Sequence, residues 1–336
     1  MKNITTLISL FVLILLIGVL DAEAQRFTRR QKYNSVGVSV NASNYFGDIT
    51  PQPDFTSLAS NATRPSVGIN FTRRLHPRVS GRVGFMWARI AGDDAKSASQ
   101  NEAENFGRYR RNLSFRNDVK ELSAVAIVDL FENRRSPRLR PDFVPYAFAG
   151  VALLHHNPKA YYENGDHGRA VGGIADEFDI PTGWYALQPL GTEGQYTNAD
   201  GAPDPYKRVQ IAIPFGLGVR YKLGRFWDLS LEVGWRKTFT DYLDDVSTAY
   251  VNKDAIRTGG GANPTAAALL SDRSGEGPFV NEYRVTPNGA PYYSIPGYGT
   301  PENQTRGHRT DDDWYITTGL TLSYILNNAP RRPKFR

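Results

Sequence analysis

The chain has 336 residues, 40% of them hydrophobic and 22% charged, with 31 glycines, 18 tyrosines and a formal net charge of +6. That length fits one large domain or two small ones. The absence of cysteine excludes a disulfide framework and leaves no thiol to carry a lipid anchor.

Taken from the N-terminus, the first 24 residues read as a secretory signal peptide. Lys2 is followed by the apolar run "ISLFVLILLIGVL" (8–20), and Ala22 and Ala24 form a small-residue cleavage site before Gln25. No later stretch approaches the roughly 20 apolar residues of a spanning helix. An exported chain of this kind is either soluble or a membrane β-barrel.

Alternation separates the two. In "RVQIAIPFGLGVRY" (208–221) one face carries Val209, Ile211, Ile213, Phe215, Leu217, Val219 and Tyr221, and the other is small or polar. In 227–236 Trp227, Leu229, Leu231, Val233 and Trp235 oppose Asp228, Ser230, Glu232, Gly234 and Arg236. The last such segment sets Trp314, Ile316, Thr318, Leu320, Leu322 and Tyr324 on one side. Period two means strands with one apolar face. Bands of about 9–11 residues with aromatics near both ends match tilted transmembrane strands rather than the shorter strands of a sandwich. About eight segments recur, at 34–44, 65–74, 78–90, 115–131, 143–157, 207–223, 226–240 and 313–326. Their connections alternate, with short turns at 75–77, 132–141 and 223–225 and long loops between. The expected architecture is all-β: an antiparallel transmembrane β-barrel over 25–326 with short periplasmic turns and long extracellular loops, ending in a basic periplasmic tail (327–336). The localisation that follows is the outer membrane of a Gram-negative cell.

The charges divide by side. The short-turn end is basic, with Arg134, Arg135, Arg138 and Arg140 in "ENRRSPRLRP" and Arg331 and Arg332 in the tail. These six are the candidate docking residues for an acidic periplasmic partner, or they fix topology and solubility. The long loops carry the acidic clusters Asp241/Asp244/Asp245 and Asp311/Asp312/Asp313, read as solvated charge. An exported protein with this distribution is not a nucleic-acid binder. An eight-stranded interior is just wide enough for side chains to fill. Arg82, Glu121, Asp129, Arg220, Glu232 and Arg236 point inward by parity, and charges there have to pair, with Arg220 or Arg82 the expected partner of Glu232.

Chemistry is sparse. The five histidines are His76, His155, His156, His167 and His308, and no serine stands at a nucleophile spacing from them. The acidic loops lack the spaced ligands and turn glycine of a calcium loop. "TGGGANPTAAA" (258–268) lacks the Lys-Ser/Thr of a phosphate loop. The reading is non-enzymatic, without metal or cofactor; a lipid-modifying enzyme using His155 or His156, and a free-standing adhesive barrel, are the alternatives.

Several stretches carry a family resemblance: "SNYFGDI" (43–49), "RNLSFRNDVKELS" (111–123), "PYAFAGVALLHHNPKA" (145–160), "LQPLGTEGQ" (187–195), "QIAIPFGLGVRYKL" (210–223) and "RKTFTDYLDDVSTAYV" (236–251). Through them the sequence resembles the PorG-type outer-membrane barrels of the Bacteroidetes type IX secretion system. The most specific stretch contains Thr238, Phe239, Thr240, Asp241, Tyr242, Asp244 and Asp245, with Phe239 and Tyr242 expected at the membrane interface. The resemblance implies a role in protein export and, in gliding species, surface motility. It also implies periplasmic partners, a ring lipoprotein and its companion protein, for which the barrel is the outer-membrane attachment point.

Overall fold

A computed structural model describes residues 31–49, 62–98, 103–133, 136–163, 180–274, 282–285, 291–294 and 304–326. The expected signal peptide, the tail 327–336, and Arg134, Arg135, Arg331 and Arg332 lie outside the described residues.

Each alternating segment forms a strand: β1 (Asn34–Phe46), β2 (Arg64–Arg74), β3 (Val79–Asp93), β4 (Ser114–Asp129) and β5 (Phe143–His155). A short hairpin follows, β6 (Pro158–Tyr162) and β7 (Gly183–Ala186), and then β8 (Val209–Lys222) and β9 (Trp227–Thr238). The pair β10 (Glu282–Val285) and β11 (Pro291–Ser294) precedes the last strand, β12 (Trp314–Leu326). The order β3-β2-β1-β12-β9-β8-β5-β4, with β3 also paired to β4, closes eight antiparallel strands into a barrel. Closure satisfies every strand edge, which is what lipid demands of a spanning sheet.

The outward face is an apolar belt of exposed Val38, Val40, Ile69, Val83, Phe85, Leu122, Val151, Ile211, Leu217, Leu231 and Leu320. At the short-turn end the belt finishes in exposed Phe131, Phe143, Tyr221 and Trp227, an interfacial girdle. The inward face is built mainly of Ser, Thr, Asn and Gly, because the closed interior has no room for larger chains at every position. Gly216 faces Gly234 across β8 and β9. A Cβ at either would press on the Phe148 ring, so the glycine pair is what admits that ring to the lumen.

The short-turn end shows why "ENRRSPRLRP" is longer than a hairpin needs. A 3-10 turn at Pro137–Leu139 delivers Arg140 into the barrel rim. Its guanidinium donates to Asp228 at 2.6 and 2.9 Å, and to the carbonyls of Pro137, Gly224, Arg225 and Trp227 at 2.7–3.0 Å. Arg140 is therefore not a free docking cation: it is buried and staples the β4–β5 turn to the β8–β9 turn. Arg138, by contrast, is exposed.

Leu231 lies mid-strand and points outward, half-exposed. Leu231→Arg is expected to cost about 2–4 kcal/mol of folding into bilayers, the range for a cation placed near the midplane of a lipid face. Denaturant titration of vesicle-inserted protein measures it, and a cost within a few tenths of a kcal/mol would place Leu231 away from lipid.

Candidate functional site

The lumen holds three tiers of paired charge. Nearest the short turns, Asp129 accepts from Arg74, also bound to the Pro77 carbonyl, and from Arg220 at 3.2 and 3.4 Å. At mid-height Arg82 and Tyr146 both donate to Glu232 at 2.5 Å. Above it Arg236 (3.3 Å) and the Tyr315 hydroxyl (2.5 Å) donate to Glu121, and Arg236 also meets Thr317. Three of the arginines lie over an aromatic face as well: Arg82 on Phe148, Arg220 on Tyr146 and Arg236 on Tyr315, at 4.9–6.0 Å. All six charges chosen by parity thus stand in the lumen as cation–anion pairs, and Glu232 goes to Arg82. Parity applied to β2 also finds Arg74, inward after Ser66, Gly68, Asn70 and Thr72. The Tyr146 and Tyr315 contacts carry no signal in spacing alone. Cavities of about 30 and 60 Å³ flank the Arg82–Glu232 pair, which lines both and separates them.

Toward the long loops the lumen turns apolar. Met86, Ala88, Ile90, Phe115, Val119, Leu154 and Ala212 pack around Leu243 and Val246, which descend from the β9–β12 loop. The stretch around 238–245 is therefore a stopper seated in the barrel mouth.

Four of the loop carboxylates are buried, which corrects their reading as solvated charge: Asp241, Asp244, Asp245 and Asp313 are each 0–7% exposed, whereas Asp311 is exposed as expected. The Tyr45 hydroxyl lies 2.7 Å from both Asp244 and Asp313. A phenol has one hydrogen to donate, so the second contact needs a proton carried by a carboxyl. Burial, then like charge from neighbouring carboxylates, holds both acids well above the ordinary carboxylate range. Asp313 also accepts from the Leu243 amide (2.7 Å), while Asp244 accepts from the Val246 amide (2.9 Å). Asp241 is pushed up to about 9, first by burial and then by Asp48, Asp244 and Glu193, with Ser247 offsetting part. Asp245 adopts φ +70°, a strained backbone for a residue with a Cβ, and is held there by Thr192 and by the Tyr206 hydroxyl at 2.6 Å. Burial pushes it to about 7 despite the nearby Arg306. Thr238 donates to the Asp313 carbonyl (2.7 Å) and Thr240 accepts from the Tyr242 amide (3.2 Å). Of the two aromatics assigned to the interface, Phe239 is exposed but Tyr242 is not a membrane anchor: it stacks on Tyr206 at 4.5 Å.

Two buried arginines stitch the loops together. Arg111 clasps Asp94 at 2.7 and 2.8 Å and donates to the carbonyls of Asp48 (2.8 Å) and Arg306 (2.5 Å). Arg306 binds Glu193 (2.8 Å) and the carbonyls of Asp245 (2.6 Å) and Ser271 (3.1 Å). Glu193 in turn accepts from the Ser247 and Thr248 amides and the Thr248 hydroxyl at 2.8–3.1 Å. Gly194, at φ +79° and against Val251, makes the tight turn that aims Glu193 inward. Spacing arguments miss Arg111, Glu193 and Arg306. The quoted stretches do contain Tyr45, Arg111, Glu193 and Asp244, and these converge on this one cap.

His156 is buried, bound at 3.2 Å to the Lys207 carbonyl, stacked on Tyr206 and lowered to about 4 by burial, so it is neutral. His155 points to the opposite, outer face, so the two do not form a dyad. Among the described residues no group of three or more His, Asp or Glu is placed to hold a metal ion.

Two outcomes are expected. Glu232→Ala should cost about 3 kcal/mol of barrel stability, and Arg82→Ala/Glu232→Ala less, because the single change strands a buried guanidinium. A double variant as unstable as the sum of the single variants would remove the pair from the lumen's stability. For the cap the sign runs opposite to ordinary acids. Folded values above the ordinary carboxylate value of 3.8 favour bound protons, so stability is fullest below pH 4 and is lost as pH rises through about 7 for Asp245 and about 9 for Asp241. Hydrogen exchange of 239–251, corrected for intrinsic rates, should show protection falling from pH 5 to 9. In Asp241→Asn the decline should be shallower by up to about tenfold in protection per pH unit, the slope of one linked proton. An unchanged slope would clear Asp241 of that role.

By superposition the chain is similar to Neisserial surface protein A, at 9% identity over 87% of this chain and 96% of that one, with a TM-score of 0.35. It is also similar to Ail, the attachment invasion locus protein of Yersinia pestis, solved with the heparin analogue sucrose octasulfate (7%, 88% and 99%, TM-score 0.35). A third similar structure is E. coli outer membrane protein W (11%, 89% and 100%, TM-score 0.30). No curated protein matches the sequence. A family described as a domain of unknown function, DUF6089, matches residues 8–183, more than half of the chain, and the chain therefore belongs to the DUF6089 family.

Proposed function

We propose that the protein is a non-enzymatic outer-membrane barrel of the type IX secretion machinery, serving as the membrane attachment point of its periplasmic ring. The observation that carries this reading is the sealed lumen. Among the described residues three tiers of paired charge and the Leu243/Val246 stopper fill the lumen, which assigns the work of the barrel to its two ends. In an outer-membrane orientation the short turns face the periplasm and the capped loops face outside. The PorG-type resemblance of the stretches that build the cap supports assignment to secretion rather than to a free-standing barrel.

The ring lipoprotein and its companion are the proposed periplasmic partners. The docking residues are now Arg134, Arg135 and Arg138 with Arg331 and Arg332, since Arg140 is spent inside the rim. Cations on such a rim set encounter rate and salt sensitivity more than barrel stability. Deletion should block export of many unrelated cargo proteins, which an adhesive barrel would leave untouched. Arg134→Glu/Arg135→Glu/Arg138→Glu should keep the barrel folded yet lose the ring in salt-sensitive pull-downs. Normal export by the deletion strain would overturn the secretion role, and ring capture by the triple variant would move the docking face elsewhere. Arg140→Glu is the contrasting case: it should destabilise the barrel itself, by about 3 kcal/mol or more, through unpaired Asp228.

A further inference from the structure

Above the apolar belt, the outer face of one quadrant of the barrel carries three cations that no described carboxylate pairs with. β4 continues past exposed Leu122 to Lys120, Asp118 and Arg116 on the same outward face. Lys120 pairs across the sheet with His155 on one side and Trp87 on the other. Arg116 pairs with Lys159 of β6. Beyond them, Tyr161 and Trp184 of the β6–β7 hairpin stand opposite each other, 40% and 46% exposed.

The acidic member of this face, Asp118, is already taken by Arg89 in a two-pronged contact at 2.6 and 3.2 Å. Among the described residues no carboxylate pairs with Arg116, Lys120 or Lys159. Arg116 lies 4.0 Å over the Trp184 ring, and its Nε is buried with no hydrogen-bond partner. The far side of the barrel differs: there Lys237 is matched by Asp312 at 2.8 Å and rests on Trp314. Two like-charged side chains set directly opposite on adjacent strands, as Arg116 and Lys159 are, repel each other unless an anion lies between them.

The two cationic levels, Lys120 and Arg116/Lys159, are four residues apart along β4, or about 13 Å. The lower one borders the belt, where headgroups begin. That spacing suits two phosphates on one headgroup better than a single phosphate. Stacking an arginine on an aromatic ring fixes its fork in place, which favours phosphate recognition over diffuse attraction.

We propose that the outward face of β3–β6 above the belt is a docking surface for the phosphorylated saccharide headgroup of an outer-leaflet glycolipid, with Arg116, Lys120 and Lys159 as its phosphate ligands. The ring of a headgroup sugar then lies against Tyr161 and Trp184. This inference rests on the outer-membrane reading of the barrel.

The test uses the full-length protein folded in detergent and in phosphatidylcholine bilayers. Retention of diphosphoryl lipid A, dephosphorylated lipid A and phosphatidylglycerol is read by native mass spectrometry. Diphosphoryl lipid A is expected to be held at least tenfold more tightly than the other two. Arg116→Gln/Lys120→Gln/Lys159→Gln should lose on the order of a hundredfold, each cation near a lipid surface contributing a comparable factor. Its fold is checked by the heat-dependent shift in electrophoretic mobility. If the triple variant does not fold, Lys120→Glu alone, at an exposed position, should still abolish the preference. Equal retention of the three lipids by the unaltered protein, or an undiminished preference in a folded variant, overturns the proposal. Failure of the unaltered chain to enter any bilayer would instead overturn the membrane reading beneath it.

Discussion

A barrel of eight strands has an interior only as wide as the side chains that fill it, and a charge placed there has no water to escape to. The pairing of Arg82 with Glu232 at mid-height answers that constraint, and much of the lumen is arranged around it. The facing glycines 216 and 234 exist to admit Phe148, whose ring carries the Arg82 guanidinium. Tyr146 supplies a second donor to the same Glu232 oxygen. Above and below, Arg236 on Glu121 and Arg220 on Asp129 repeat the arrangement, each over an aromatic ring. Such pairs bring little net stability against apolar replacements, but breaking one is costly.

The cap obeys the rule differently. Arg111 and Arg306 each share their hydrogen bonds between side chains and the backbone carbonyls of neighbouring loops, which leaves more buried carboxyl groups than cations to match them. The mouth resolves this excess with protons rather than with cations. Tyr45 between Asp244 and Asp313 is the clearest case, since its one hydrogen cannot serve both. The loops are thereby fixed by contacts whose strength depends on solution acidity.

Period-two alternation in 208–221 and 227–236 made the strands, their outward faces and the charged lumen legible, because burial on one side and lipid on the other act at every second residue. Parity alone chose Arg82, Glu121, Asp129, Arg220, Glu232 and Arg236. It could not reach the cap, whose contacts join Asp48, Arg111, Glu193 and Arg306 across long stretches without periodicity. Nor could it tell Arg140 from Arg138: both sit in one basic turn, and only the approach of Asp228 from another strand takes one inside. The acidic clusters looked solvated for the same reason, since composition does not reveal that a loop folds back into a mouth.

Tyr45 lies at the end of the first strand and Asp313 immediately before the last, 268 positions away. Joining positions so far apart carries the entropy cost of closing the whole intervening chain. Until β12 zips onto β1, Asp244 and Asp313 are hydrated and ionised, and the stopper has no seat. Zipping removes them from water and obliges one of them to take up a proton. Completion of the barrel is thus a proton-consuming step, and the sealing of its mouth reports that the whole chain has arrived.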